Sequence, residues 1–153
     1  MIRPATYDDV AELVAFAQEC QRSMPWWAAG IRSDEDSMIM TMLDLTESRF
    51  SDLSVVDLGE GIVGACAVVL GNVPWARDMV IASEWMWHMR PAFPEGFVKR
   101  KWIVRMLDHM LDWSRAKDAH VFKANTIHGD MALTALLERR GIRPMETACA
   151  GRL

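Results

Sequence analysis

The chain has 153 residues, 51% of them hydrophobic and 25% charged, with a formal net charge of −4 at pH 7. That size and balance suit one domain spanning residues 1–153 with a real hydrophobic core, and the acidic balance argues against general nucleic-acid binding, which needs many cationic contacts to phosphates. The longest apolar runs, such as Ile62 to Leu70, are too short to cross a bilayer and no signal segment precedes the acidic first helix, so a soluble, cytoplasmic protein without a membrane partner is expected.

Met1 to Thr6 reads as a short first strand, and Thr6 with Asp9 has the spacing of a capping box. Val10, Leu13, Val14, Ala17 and Cys20 then fall on one face of a helix. A loop from Ser23 to Arg32 carries Pro25, Trp26, Trp27 and Gly30. Ser33 with Asp36 offers a second capping box for a helix that fades near Ser48. Val55 to Leu58 and Ile62 to Leu70 are strand-like, and Gly59-Glu60-Gly61 between them signals a hairpin. The second of these strands lacks polar alternation, which predicts cover on both faces.

A third long strand is expected from Met79 to Met89, ending at Arg90-Pro91, and a long helix from Phe97 to Lys117. Its predicted buried side holds Val98, Trp102, Ile103, Met106, Leu107, Met110 and Trp113. His120 to Ala124 reads as a short strand. Asp130 caps a helix running to Arg140, which Gly141 stops. Three successive strands followed by two strand-helix alternations predict a mixed α/β (α+β) sheet, antiparallel early with a parallel step later. The tail after Gly141 is short, so the last strand leaves a sheet edge that a homodimer or larger assembly would cover. Cys20, Cys66 and Cys149 are odd in number and set in apolar sequence, which predicts buried, reduced thiols and neither a disulfide framework nor a zinc site. No metal-ligand spacing, nucleophile elbow or phosphate-loop motif occurs.

The element order, the Ile2-Arg3-Pro4-Ala5-Thr6 opening, Pro91 just after the third long strand and Gly141-Ile142 at the end of the last helix resemble the GNAT family of acetyl-CoA-dependent N-acyltransferases. The resemblance covers nearly the whole chain in element order and Glu84 to Ile142 in residue detail. It implies a twisted mixed sheet of about six strands flanked by four helices, whose central strands splay to admit the pantetheine arm of acetyl-CoA. The family's loop before the long helix, Arg/Gln-x-x-Gly-x-Gly/Ala, holds the pyrophosphate on backbone amides at a helix N-terminus. Aligned by the following helix, Val98, Lys99, Arg100, Lys101, Trp102 and Ile103 stand there, without either glycine, and Gly96 lies before the segment. Either Lys99, Arg100 and Lys101 replace backbone cradling with charge, or the cluster is a solvated helix face and the site is lost.

Within the resemblance, Met89 and Arg90 at the strand end would pair with the pantetheine amides, and the loop holding Trp26 and Trp27 would line the acceptor site, where a flat or cationic amine could stack. Amine acylation needs a base. Glu84 is the favoured candidate, a carboxylate within an apolar strand, and His88 is the second. The two are placed on one strand face, about 13 Å apart at ~3.3 Å per residue. The family's tyrosine acid has no counterpart, since Leu137 stands at its position. His109, His120 and His128 read as solvated or turn residues. A narrower likeness, on Lys99-Arg100-Lys101-Trp102 and Asn125-Thr126, is to small GNAT-like morphogenesis proteins of podophages, and it implies a non-catalytic, virion-associated assembly component instead of an enzyme.

Overall fold

The computed structural model describes residues 1–24, 33–73, 76–125 and 131–143. Their elements are β1 (Ile2–Pro4), α1 (Val10–Gln21), α2 (Glu35–Glu47), β2 (Ser51–Asp57), β3 (Ile62–Val73), β4 (Ala76–Met89), α3 (Phe97–Ala116), β5 (Val121–Lys123) and α4 (Met131–Glu138). One sheet runs in the order β1-β2-β3-β4-β5. The first three pairings are antiparallel and β4–β5 is parallel, as the strand and helix order predicts. The described sheet has five strands where about six are expected from the resemblance. Residues beyond Arg143, where a closing strand and Cys149 fall, lie outside the described residues, as do Trp26, Trp27, His128 and Asp130.

The sheet has a packed layer on each face. Leu13, Phe16, Met42, Val55, Ala65, Ala67 and Met86 bring α1 and α2 onto one face, while Cys66, Val68, Ala82, Trp87, Met106, Met110 and Leu137 bring α3 and α4 onto the other. Strand β3 therefore contributes alternate residues to both cores, which explains its uninterrupted apolar sequence. On α3 the predicted stripe is correct from Trp102 onward, but Val98 is 56% exposed, because the helix begins beyond the sheet's edge of cover.

Local chemistry sets the element ends. A one-turn 3-10 segment, Tyr7–Asp9, precedes α1. Asp9 accepts from the Thr6 amide (2.7 Å) and hydroxyl (2.9 Å), and takes a two-pronged hydrogen bond from Arg3 at 2.7 and 2.8 Å. That guanidinium holds the Asp9 carboxyl well below the usual carboxylate range. Asp34, and not Ser33, caps α2, accepting from the Ser37 amide at 2.8 Å; a carboxylate outcompetes a hydroxyl for that role one residue later. Gly141, at φ +80, ends α4 in the left-handed conformation expected of a helix stop.

Candidate functional site

The site is organised by one irregularity in β4. Met86 stands opposite Ala67 and Glu84 opposite Val68, so Trp85 is an extra residue, a β-bulge. A bulge reverses the alternation of everything after it. Glu84 shares a face with its partner Val68, in the core under α3, whereas His88 pairs with Ala65 and faces α1 and α2. The sequence expectation that Glu84 and His88 share a face is thus corrected: a period-2 count carries no sign of the inserted residue.

The bulge also reorients the backbone. The Arg90 amide donates to the Val63 carbonyl at 2.8 Å, so in an antiparallel ladder the amides of Met89 and Trp87 point away from β3. On that other side β5 pairs with β4 only at Ile81, Ala82 and Ser83. Among the described residues, β4 from Glu84 to Met89 has no partner strand along this edge. The amides of Met89 and of Trp87, the latter unnoticed in the sequence, lie along this edge. Arg90 does not, because its amide belongs to the β3 ladder. Its guanidinium is also engaged, with Glu19 (3.1 Å), Glu12 (3.4 Å) and the Ile62 carbonyl (3.1 Å).

Glu84 sits where the two strands part. It is 9% exposed, and its Oε2 accepts from the Asn125 amide at 3.1 Å, two residues past the end of β5. Burial pushes its carboxyl above the usual range, and the Asn125 hydrogen bond opposes this less strongly. His88 is half-buried, and burial lowers its imidazole below the usual value, favouring the neutral form.

Beyond Met89 the chain enters α3 through Gly96, whose φ of +127 and ψ of −157 are essentially restricted to glycine. Gly96 has no side chain to cap the helix, no acidic residue occupies the first turn, and the first intrahelical bond runs from the Arg100 amide to the Gly96 carbonyl. The amides of Phe97, Val98 and Lys99 therefore have no acceptor within the helix, and they carry the positive end of its dipole. These free amides begin one residue before the segment aligned in the sequence and overlap it at Val98 and Lys99, whereas Lys101, Trp102 and Ile103 are interior helical residues. Trp102 stacks under Arg105 at 5.0 Å, and the Ile103 carbonyl accepts from Trp87 Nε1 at 3.1 Å. Lys99 pairs with Glu95, Arg100 and Lys101 are exposed, and Phe97 is 81% exposed.

On the opposite face a cavity of about 330 Å³ lies between α1, α2 and β4, with Trp85, Met86 and His88 in its wall. Cys20, also in this wall, has its thiol pushed up to about 12 by burial. A separate cluster joins α3 to β2: His109 Nε2 is 2.9 Å from Asp52 and 3.0 Å from Ser54, which itself donates to Asp52 at 3.1 Å. His109 is therefore not the solvated residue its acidic neighbours in sequence suggest; β2, distant in sequence, supplies its partners. Both contacts of the imidazole fall on one ring nitrogen, and the third closes the triangle between Ser54 and Asp52, an arrangement that braces two elements and lacks the relay geometry of a nucleophilic triad. His120 is exposed, as expected, and its Nδ1 accepts from the Val80 amide at 3.2 Å. Leu137 is buried in the core under α3, so α4 offers no hydroxyl at that point.

No protein-family profile and no curated sequence matches this chain. Solved structures match it along its length. An aminoglycoside antibiotic 6'-N-acetyltransferase from Acinetobacter haemolyticus superposes with a TM-score of 0.70 at 10% identity, covering 100% of this chain and 97% of that one. An acetyltransferase from Trypanosoma brucei gives 0.71 at 12% identity, covering 100% and 99%. A predicted acetyltransferase from Clostridium acetobutylicum, solved with acetyl-CoA, gives 0.71 at 11% identity, covering 99% and 95%. Identities this low establish the architecture and leave the activity open. The chain has the fold of the GNAT acetyltransferases.

Proposed function

We propose that the protein transfers an acyl group from acetyl-CoA to a primary amine of a small molecule or protein. One observation carries the reading: the edge of β4 beyond Ser83, unpartnered among the described residues, is followed after the turn Arg90 to Gly96 by a helix N-terminus without a side-chain cap. An extended amide-bearing arm can add to a strand edge, and a pyrophosphate suits free amides at the positive end of a helix. In this reading Trp87 and Met89 bind the pantetheine amides. The amides of Phe97 to Lys99, with the side chains of Lys99, Arg100 and Lys101, bind the pyrophosphate. Acetyl-CoA, when bound, supplies the thioester that is broken. Glu84 and His88 are the two groups able to take the amine's proton, one from each face of the sheet.

Isothermal calorimetry with acetyl-CoA tests the donor site. Micromolar binding that weakens at least tenfold in Lys99→Glu/Arg100→Glu supports it, and no binding at millimolar acetyl-CoA removes it. The Glu95–Lys99 pair favours a second reading, since it places a carboxylate beside the helix N-terminus and occupies one of the three cations. In that reading the chain is a structural or assembly protein on an enzyme fold, such as a phage virion component, and Phe97 and Val98 are contact residues. Absence of acetyl-CoA binding together with self-association or co-assembly in sedimentation would favour it.

A further inference from the structure

The cavity between α1, α2 and β4 is lined by four methionines, Met24, Met38, Met42 and Met86, with Trp85 and His88 at the strand. Methionine is unbranched and polarizable, so such a wall adapts to apolar groups of different shape. At ~30 Å³ per water-sized group, the volume of about 330 Å³ holds about ten of them, enough for a phenylethyl or octyl group. Among the described lining residues there is no lysine or arginine. The ionisable ones are Asp34, Cys20 and His88. Asp34 is held ionised by its hydrogen bonds from Ser37, Cys20 stays a neutral thiol, and His88 favours its neutral form. The described part of the wall therefore offers no cation to neutralise a carboxylate or phosphate. An ammonium finds an anionic rim residue, an unprotonated imidazole, and the face of an indole, since Trp85 is 58% exposed.

The two faces of the sheet at this point are not equivalent. Under α3, the space beside Trp87 and Met89 is filled by Met106, Leu107, Met110 and Leu137. Among the described residues, a nucleophile approaching the open edge of β4 finds a cavity on the α1–α2 side and a packed core on the other.

We infer that the cavity is the acceptor site and that it takes primary amines with an apolar body, aryl-alkyl or alkyl, with His88 receiving the proton. This rests on the acyl-transfer reading above. His88 takes one proton from the ammonium, and the nitrogen's second proton leaves with the departing thiolate as thiol as the C–N bond forms and the C–S bond breaks. The imidazolium then returns its proton to water.

Two measurements on the full chain test it. In calorimetry, 2-phenylethylamine and n-octylamine should bind the protein, with affinity lost at least tenfold in Thr41→Trp, which fills the cavity from α2. In a thiol-release assay with acetyl-CoA, both amines should exceed spermidine and kanamycin at least tenfold in kcat/KM. His88→Gln should lower kcat about 100-fold while amine affinity stays within threefold. If acetyl-CoA binds and spermidine or kanamycin is preferred, the acceptor inference is overturned while the donor reading stands. If the apolar amines bind and T41W abolishes this but acetyl-CoA does not bind, the cavity is an amine site and the donor reading fails. Should T41W not fold, the amine panel alone decides, with failure of both apolar amines to bind overturning the inference.

Discussion

Replacing Glu84 with glutamine separates what this carboxylate does for function from what it does to stability. The group is 9% exposed, and the Asn125 amide at 3.1 Å is its one donor among the described residues. An ionised carboxylate so placed carries a desolvation penalty of several kcal/mol, against a charge-assisted hydrogen bond contributing ~1.5–3 kcal/mol. The amide oxygen of glutamine keeps the Asn125 bond, at about 1 kcal/mol, and removes the charge. Glu84→Gln should therefore be more stable than the parent by about 1–2 kcal/mol at pH 8. The sign with pH follows from the raised carboxyl: the folded state holds this proton more tightly than the unfolded chain. The parent thus loses stability as pH climbs from the unfolded value near 4.5 through the folded one, and the variant does not. Urea unfolding at pH 4.5 and pH 8 measures the difference, which should be near zero at the lower pH and fully developed at the higher. A variant less stable at pH 8, or a difference independent of pH, would refute the reasoning. Turnover with His88 as the proton acceptor should change by less than about fivefold, and a loss of ~100-fold would instead make Glu84 the base.

Three further outcomes follow from separate parts of the molecule. Asp52 raises the His109 imidazole, so this brace contributes stability fully present below pH 6.5 and lost as pH rises through the folded value; the stability difference between parent and His109→Gln should be about 1 kcal/mol at pH 5.5 and shrink by pH 8.5 in urea melts. Asp9, whose carboxyl is held low chiefly by Arg3, contributes stability present above its unfolded value near 3.8 and lost below it; Asp9→Asn should lose about 2–4 kcal/mol at pH 7 by chemical denaturation, and the penalty should fade on acidification toward pH 2. Gly96→Ala forces a side chain into a glycine-only conformation and should cost about 1–3 kcal/mol in thermal or chemical melts, while weakening acetyl-CoA binding at least fivefold in calorimetry.

Much of the architecture is legible in the sequence because its signals are local. The Gly59-Glu60-Gly61 hairpin, the apolar repeat of α3, the doubly covered strand β3 and the Gly141 stop each depend on residues within one element. The candidate site is less legible because it depends on relations between elements. Nothing in Ser83-Glu84-Trp85-Met86 announces a bulge, since Trp85 fits an alternating strand as well as an inserted position, so the faces of Glu84 and His88 cannot be counted from composition. The free amides at the start of α3 are hard to read for a related reason. A run of cations attracts attention to Lys99-Arg100-Lys101, whereas the free amides are set by where the backbone turns at Gly96. His109 shows the same limit, its partners Asp52 and Ser54 lying on a distant strand.

The short pairing of β5 has a bearing on how the molecule breathes. Strand β3 is laced to β4 from Gly64 to Val73, while β5 holds on at Ile81, Ala82 and Ser83, helped by the Asn125–Glu84 and His120–Val80 bonds at its two ends. Local openings of a fold begin where backbone bonds are few and exposed. The amides of the β5–α4 unit should thus exchange with solvent ahead of those of the β2–β3–β4 ribbon. Widening of the cleft would then be a low-energy opening of that unit alone, with both cores' strands held in register throughout.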